Sequence, residues 1–269
     1  MEEIPRKLLA KVDLLQISMS CRVHTKASKS SKRREVAEDH GDAAGVYGLL
    51  KNLEDINPAI IVSENVIEAK GSATFALLKA ILAELHYTVY EFSLTNAQSG
   101  SFENRLRYWM VAVDSNIPFS TDLLPVYAKL YPRFSYLMED FAESDPVWSV
   151  PTEARAKKAQ RDREKGNSFS NQAPLTPDSE SCPTIRADYM RRGSLDVRVQ
   201  GPEGKYRMLT AKEHCVAKSA PLSLIDNLKE CFAHYVLGQG IDMNQGRGIA
   251  HLIGANLARL SSGNQGAIG

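Results

Sequence analysis

The chain has 269 residues, of which 43% are hydrophobic and 24% are charged. This length allows one large or two ordinary domains, and the composition is that of a folded globular protein rather than a disordered chain. Lys and Arg number 33 against 32 Asp and Glu, a formal net charge of +1, which excludes a uniformly basic nucleic-acid-binding protein. Any nucleic-acid contact is therefore expected to come from local basic patches.

The four cysteines are scattered along the chain at Cys21, Cys182, Cys215 and Cys231. None of them forms a Cys-x-x-Cys pair, and so the sequence suggests neither a zinc site nor a disulfide framework. The N-terminus has no signal-peptide pattern, and no apolar run approaches the length of a membrane span. We therefore expect a cytoplasmic protein, in which the reducing environment keeps the thiols free.

The first apolar run, residues 12–18, predicts a strand that opens into a loop at Cys21. Reacting groups gather beyond the carboxyl ends of strands in open α/β sheets, so Cys21 is a candidate nucleophile. The alternative is a small buried hydrophobic residue, which is the commoner role of a lone cysteine after an apolar run.

The segment after Cys21, residues 22–34, contains basic residues and no acid. Two interpretations are open: a solvated surface loop, or a loop that lies against DNA phosphates. Arg22, Lys26 and Lys29 are the candidate phosphate contacts under the second interpretation.

Strands and helices then alternate. Apolar residues at helical spacing predict a helix over residues 45–53 and a stronger one opened by Ser72. Residues 59–63, 87–92 and 108–113 predict strands. Strands that alternate with helices in this way are typical of a parallel sheet.

Three short motifs occur near the ends of predicted strands, in the order Cys21, Glu64-Asn65-Val66 and Arg105-Leu106-Arg107. In this order they resemble the motifs of the cytosine-specific carbon-5 DNA methyltransferase family. The Glu-Asn-Val motif matches without change. Ser20-Cys21-Arg22 stands where the family usually has Pro-Cys-Gln, and Phe102-Glu103 stands where it has Pro-Gln.

Further short matches extend the resemblance over most of the chain. They are Asn96, Ala97 and Gly100, then Arg207, Leu209, Thr210 and Glu213, and last Gly238-Gln239-Gly240-Ile241, at the position of the family's Gly-Asn-Ser-Val. The resemblance implies S-adenosyl-L-methionine as methyl donor, with Gly238, Gln239 and Ile241 as residues that contact it.

The resemblance also implies the fold, an α/β Rossmann-like methyltransferase parallel sheet with an inserted target-recognition region. The family's chains normally begin with a strand and a Phe-x-Gly-x-Gly turn that wraps the methyl donor, whereas no glycine precedes Gly41 here. We therefore expect an incomplete sheet, for which a separate chain is one source of the donor-binding strands. We also expect an unpaired strand edge at residues 12–18, which would bind a partner chain or cause aggregation.

Three segments are implied by the same resemblance. They are a catalytic part at 1–114, a variable target-recognition region at 115–206, and C-terminal helices at 207–269 that return to the catalytic domain. The variable region reads DNA sequence in this family. Arg186, Arg191 and Arg192 are candidate contacts to phosphates or guanine edges, and solvated arginines are the alternative.

The family's chemistry assigns a role to each motif. Cys21 adds to carbon 6 of a flipped-out cytosine, which makes carbon 5 able to attack a methyl sulfonium. Glu64 donates or shares a proton at ring nitrogen 3, and Asn65 is expected to organise the backbone. Arg105 and Arg107 would share one face of a strand and hold Glu64, the base or a phosphate, with a structural salt bridge as the alternative.

Three functions remain open at this point. The first is a DNA (cytosine-5-)-methyltransferase in truncated or split form that acts on double-stranded DNA. The second is a catalytically inactive DNA-binding remnant of the same family, which the Ser20-Cys21-Arg22 departure and the missing glycine turn favour. The third is a relative that acts on RNA, because the same cysteine chemistry serves RNA cytosine.

Overall fold

The structure is a computed structural model that describes residues 12–19, 45–150, 174–191 and 196–264, with five further positions between 153 and 164. Cys21, the basic segment 22–34 and Arg192 lie outside the described residues. The described chain forms two compact units. Unit 1 takes the described residues up to Leu94 together with Leu106–Leu124 and those from His251 onwards, and unit 2 takes Thr95–Arg105 and Pro125–Ala250.

The regular elements have the following bounds. The strands are β1 (Leu14–Ile17), β2 (Ile60–Val66), β3 (Tyr87–Leu94), β4 (Glu103–Asn104), β5 (Arg107–Asp114), β6 (Cys182–Pro183), β7 (Val199–Gln200) and β8 (Tyr206–Arg207). The α-helices are α1 (Gly45–Ile56), α2 (Ala73–Glu84), α3 (Asn96–Ser99), α4 (Ala211–Ala217), α5 (Glu230–Gln239) and α6 (Met243–Asn264).

Unit 1 is built on a four-stranded sheet in the order β1-β2-β5-β3. Strand β1 pairs with β2 in parallel, whereas β5 runs antiparallel to both of its neighbours, β2 and β3. The six residues from Tyr108 to Val113 are all buried, as expected of a central strand that is covered on both faces. The predicted α/β class is confirmed, although the sheet is mixed rather than entirely parallel.

Helices α1 and α2 cover this sheet at the positions that the apolar periodicity predicts. Ser72 is the N-cap of α2, and its side-chain oxygen accepts a hydrogen bond from Phe75 N at 3.3 Å. The apolar faces of the helices join the sheet in one core cluster, whose buried members include Leu49, Leu53, Phe75, Leu78, Tyr108 and Met110. Burial of these faces accounts for the stability of both helices.

Strand β1 is the outermost strand of the sheet within the described residues, and the unpaired edge expected at residues 12–18 stays a prediction. Among the described residues β2 is its one paired neighbour, and Leu14 is 46% exposed. Strand β2 is longer than predicted, because the Glu-Asn-Val motif forms its last three residues instead of following it.

Unit 2 has a separate core of loops, short strands and helices. Its buried members include Phe102, Phe134, Ile185, Tyr189 and Val199. Residues 95–105 belong to this unit and make polar contacts with residues beyond 218, and the predicted segment limits at 114 and 206 stay a prediction.

Apolar residues recur at helical spacing after Thr210, through Leu222, Leu228 and Phe232, and predict helix there, but the structure interrupts this pattern. Leu222–Leu224 forms a short 3-10 turn, and α5 begins only at Glu230. Asn227 lies between them with a φ of 62°, in the left-handed region that ends regular helix. None of the helices in the described ranges is both long and apolar enough to cross a membrane.

Replacing Phe75 with Ala is expected to lower the free energy of unfolding by about 3–5 kcal/mol, because the ring is fully buried and leaves a cavity beside Tyr108. Leu77→Ala, on the same helix but 53% exposed, should change it by less than about 0.5 kcal/mol. Urea denaturation followed by circular dichroism measures both values. Equal losses in the two variants would contradict this packing.

Candidate active site

A carboxylate and a guanidinium meet on one face of the sheet in unit 1. Strands β2 and β5 pair so that Glu64 lies opposite Trp109 and Arg107 lies opposite Val66. Glu64 and Arg107 are therefore diagonal neighbours on the same face. Arg107 Nε lies 3.0 Å from Glu64 Oε1, and both side chains are mostly buried.

Asn65 points to the opposite face of β2 and is buried. Its Nδ2 donates to the carbonyl oxygen of Met19 at 3.1 Å, and its Oδ1 accepts from Val66 N at 2.8 Å. Met19 follows the end of β1 and precedes Cys21 by two residues. Asn65 therefore holds the backbone just before the candidate nucleophile, in agreement with the backbone-organising role expected for it.

Arg105 does not lie beside Glu64 and Arg107 on a shared strand, and that expectation is wrong. Strand β5 begins at Arg107, so the alternation of side chains does not extend back to Arg105. The Arg105 guanidinium is buried in unit 2, where Nη1 lies 3.4 Å from Glu103 Oε1 and Nη2 donates to Gly238 O at 3.1 Å. The contacts that the structure gives Arg105 are those of an anchor for the residues around Gly238.

Glu103 is the centre of a buried charge cluster in unit 2. One carboxylate oxygen accepts from Ile185 N at 2.9 Å, and the other lies 3.4 Å from Lys218 Nζ. Burial by itself would raise the pKa of Glu103, but Lys218 and Arg105 outweigh it and lower the pKa to about 2. A charged Glu103 thus occupies the position where the cytosine-5 methyltransferase family, which the sequence resembles, has glutamine. Arg105 and Lys218 compensate its negative charge.

Gly238, Gln239 and Ile241 were predicted to contact the methyl donor. A Cβ at Gly238 would lie 2.3 Å from Ala187 N and 2.4 Å from Ala187 Cα, so close packing against the protein itself excludes a side chain there. Gln239 is exposed and Ile241 is half-buried. Lys218 Nζ donates to Gly240 O at 3.0 Å and so holds the turn between them.

The arginines predicted to contact DNA differ in their surroundings. Arg186 Nη2 lies 2.7 Å from Asp196 Oδ1, and Nη1 lies 3.7 Å from Asp188 Oδ1. Burial tends to lower the pKa of Arg186, but the Asp196 carboxylate raises it overall. Arg191 is exposed at the end of a 3-10 turn. Arg186 is thus held by carboxylates of its own chain, whereas Arg191 faces solvent.

Arg207, Thr210 and Glu213 match a family element in the sequence, and the structure adds the contacts between them. Both Glu213 carboxylate oxygens accept from Arg207, at 2.6 and 2.7 Å, and both side chains are fully buried. Thr210 and Glu213 also form a capping box at the start of α4. The Thr-x-x-Glu spacing explains why the helix predicted after Thr210 begins at Ala211.

Two buried histidines that were not predicted from the sequence form a pair in unit 2. His214 Nδ1 lies 3.0 Å from His234 Nδ1, and the rings are stacked at 24°. Burial lowers the pKa of His214 to about 3 and also lowers the pKa of His234, despite Glu230 near the latter. One ring therefore donates and the other accepts in a neutral pair.

No protein-family model matches the chain, and no curated protein sequence matches it. Solved structures do match its fold. The methyltransferase EhMeth of Entamoeba histolytica aligns with a TM-score of 0.70 at 18% identity, over 91% of this chain and 78% of that chain. The Dnmt2 methyltransferase of S. pombe aligns with a TM-score of 0.66 at 21% identity, over 92% of this chain and 79% of that chain.

A third solved structure is a putative DNA modification methyltransferase encoded within a prophage (E. coli). It aligns with a TM-score of 0.59 at 12% identity, over 94% of this chain and 81% of that chain. At these identities the likeness concerns the fold. The chain therefore has the α/β methyltransferase fold that the sequence predicted.

The histidine pair predicts how stability depends on pH. Both histidine pKa values are lower in the folded protein than the ordinary value of about 6.5, which applies in the unfolded chain. Below that pH the unfolded chain therefore binds more protons than the folded protein. Stability falls as the pH drops from about 6.5 toward 3. Glu103 adds a further loss below about 4.5, its ordinary pKa, because its folded value is lower.

Urea titrations between pH 6.5 and 4.5 isolate the contribution of the histidines. We expect His234→Gln to reduce the slope of unfolding free energy against pH, each histidine contributing up to about 1.4 kcal/mol per pH unit. His251→Gln, at an exposed position, serves as the matched control and should keep the wild-type slope. An unchanged slope in His234→Gln would refute the neutral buried pair.

Proposed function

We propose that the chain is the catalytic and DNA-reading part of a DNA (cytosine-5-)-methyltransferase. The observation that carries this proposal is the arrangement at the end of β2. Two consecutive residues have different roles there. The Glu64 carboxylate is held by Arg107, and Asn65 donates a hydrogen bond to the carbonyl oxygen of Met19, two residues before Cys21. The methyltransferase fold of the aligned structures supports the same proposal.

Cys21 is the nucleophile in this mechanism. Its thiolate adds to carbon 6 of cytosine, and the electron pair of the carbon 5–carbon 6 double bond becomes available at carbon 5. S-adenosyl-L-methionine, when bound, would supply the methyl group that carbon 5 takes, and its methyl–sulfur bond would break to leave a neutral thioether. A solvent water molecule then takes the proton from carbon 5, the electron pair of that bond forms the carbon 5–carbon 6 double bond again, and the Cys21 thiolate leaves carbon 6.

Glu64 assists this addition at the opposite side of the ring. Negative charge builds toward ring nitrogen 3 as the thiolate adds, and Glu64 would have to carry a proton on one carboxyl oxygen to donate it there, while its other oxygen stays with Arg107. Arg107 holds the Glu64 carboxylate in one orientation, so that less side-chain freedom is lost when the base arrives. Arg107 is thus proposed as the positioning residue for Glu64.

Gln239 and Ile241 are the residues proposed to hold the methyl donor. They follow Gly238, whose carbonyl and close packing fix the backbone, and Gln239 keeps an amide at the position of the family's asparagine. An exposed amide suits the polar amino-acid part of the donor, and an apolar side chain suits its adenine ring.

Double-stranded DNA is the proposed partner, with the target base flipped out of the helix. Arg22, Lys26, Lys29, Arg191 and Arg192 are the proposed phosphate or base contacts. Arg186 would have to exchange its contacts with Asp196 and Asp188 for such a role, and we assign it to structure instead.

A covalent trap tests the proposed chemistry directly. The purified chain is incubated with S-adenosyl-L-methionine and duplex DNA that contains 5-fluorocytosine, which blocks the final elimination. Mass spectrometry should find a methylated adduct at Cys21, and Cys21→Ala should give none while it still binds the duplex. If the chain alone gives no adduct, a separate chain that carries the Phe-x-Gly-x-Gly turn is added.

The outcomes separate the two leading functions. An adduct formed only with the added chain identifies a split enzyme. A folded chain that binds duplex DNA and gives no adduct in either case refutes the enzymatic proposal and leaves the inactive DNA-binding remnant.

Asn65→Asp tests the positioning role of the amide, because the variant keeps the size of the side chain but loses the N–H that reaches Met19 O. We expect adduct formation to slow by about tenfold, the equivalent of one lost hydrogen bond, with duplex affinity unchanged. Asn52→Asp, a change of the same kind at another buried asparagine of unit 1, is the control. Equal slowing in both variants would indicate a general loss of stability instead.

A further inference from the structure

Unit 2 contains a cavity of about 450 Å³ that the proposed reaction does not use. Its volume lies in the range of small-molecule sites, roughly 300–1,000 Å³. Much of its wall is apolar and is formed by Phe141, Pro146, Val147, Met190, Met208 and Leu209. Thioether and aromatic side chains of this kind pack well against flat rings.

One wall of the cavity is fixed by a buried cation. The Arg207 guanidinium lies 4.9 Å from the ring centroid of Phe141 and 5.5 Å from that of Trp148, and Glu213 neutralises its charge. Gly201 packs under the Trp148 ring, where a Cβ would come within 2.4 Å of it. These contacts hold Arg207 and Phe141, which both line the cavity, in place before any ligand enters, and this lowers the entropic cost of binding.

The charged groups that line the cavity balance one another. Glu139 and Glu230 supply two carboxylates, and Lys212 and Arg198 supply two cations, apart from the neutralised Arg207. Lys212 Nζ lies 3.4 Å from Glu139 Oε1, with the lysine side chain 68% exposed. A charged ligand would be attracted by two of these groups and repelled by the other two. A neutral ligand that has both hydrogen-bond donors and acceptors could bind the carboxylates with its donors and the cations with its acceptors.

We propose that this cavity binds a nucleobase. A base is neutral and flat, so it fits the apolar wall beside Phe141, and its edge carries donors and acceptors for the carboxylates and cations of the lining. The base belongs either to a free nucleoside or to an unpaired nucleotide of a nucleic acid, and the chemistry of recognition is the same. This site goes beyond the proposed methyl transfer and involves neither Cys21 nor Glu64.

Calorimetric titration of the full chain with adenosine, cytidine and guanosine tests this site, with ribose as the probe that lacks a base. We expect at least one nucleoside to bind saturably and ribose not to bind. Val147→Trp and Met190→Trp each fill the cavity and should weaken binding by about tenfold or more. Val150→Trp, an equally large change at an exposed position that does not line the cavity, should leave the affinity unchanged.

A duplex with one bulged nucleotide, compared with the same duplex carrying a bulged abasic site, identifies the source of the base. Tighter binding of the bulged base, lost in Val147→Trp, indicates a nucleic acid, and nucleoside binding without that preference indicates a free nucleoside. Either result supports the site.

The proposal is overturned if none of the base-bearing probes binds. It is also overturned if they bind equally well to both cavity-filling variants, once thermal melting has shown that these variants are folded. All titrations can be made without methyl donor in a Cys21→Ala background. Loss of nucleobase binding is therefore observed separately from loss of methyl transfer.

Discussion

The antiparallel pairing of β2 with β5 is the constraint on which the candidate active site depends. The register sets Glu64 diagonally across from Arg107 on one face of the sheet, and the two-residue period of a strand then turns Asn65 to the other face. A slip of one residue would exchange these faces, so that the carboxylate would be buried against α1 and α2 and the amide would lose Met19. Complete burial of β5 from Tyr108 to Val113 makes such a slip costly.

Unit 2 depends on the compensation of buried charges. Glu103 is stabilised by Arg105 and Lys218, and these same cations bind the carbonyl oxygens of Gly238 and Gly240. The cluster thus connects residues 95–105 with the turn before α6, although they are far apart in sequence. Removal of one partner would leave an uncompensated charge in the interior, which is far more destabilising than the intact pair is stabilising.

Local periodicity was sufficient to predict the regular elements of unit 1. Helices α1 and α2 appeared in the sequence as apolar residues at helical spacing, and Ser72 marked the start of α2. The same reasoning failed between Leu222 and Glu230, where a left-handed Asn227 interrupts an apolar pattern that looks continuous. Backbone conformation at one residue decided the outcome there, and periodicity does not report it.

The sequence by itself determined which chemical groups this protein has and in what order: a cysteine after the first strand, Glu64-Asn65-Val66 at the end of the next, and two arginines around Leu106. The tertiary structure decided which of these groups meet. Arg107 forms an ion pair with Glu64, whereas Arg105 forms one with Glu103. Two histidines that are 20 residues apart in sequence form a hydrogen bond between their Nδ1 atoms. The physical reason is that strand register and the pairing of buried charges join residues distant in the chain, and the identity of such partners is not encoded in local spacing.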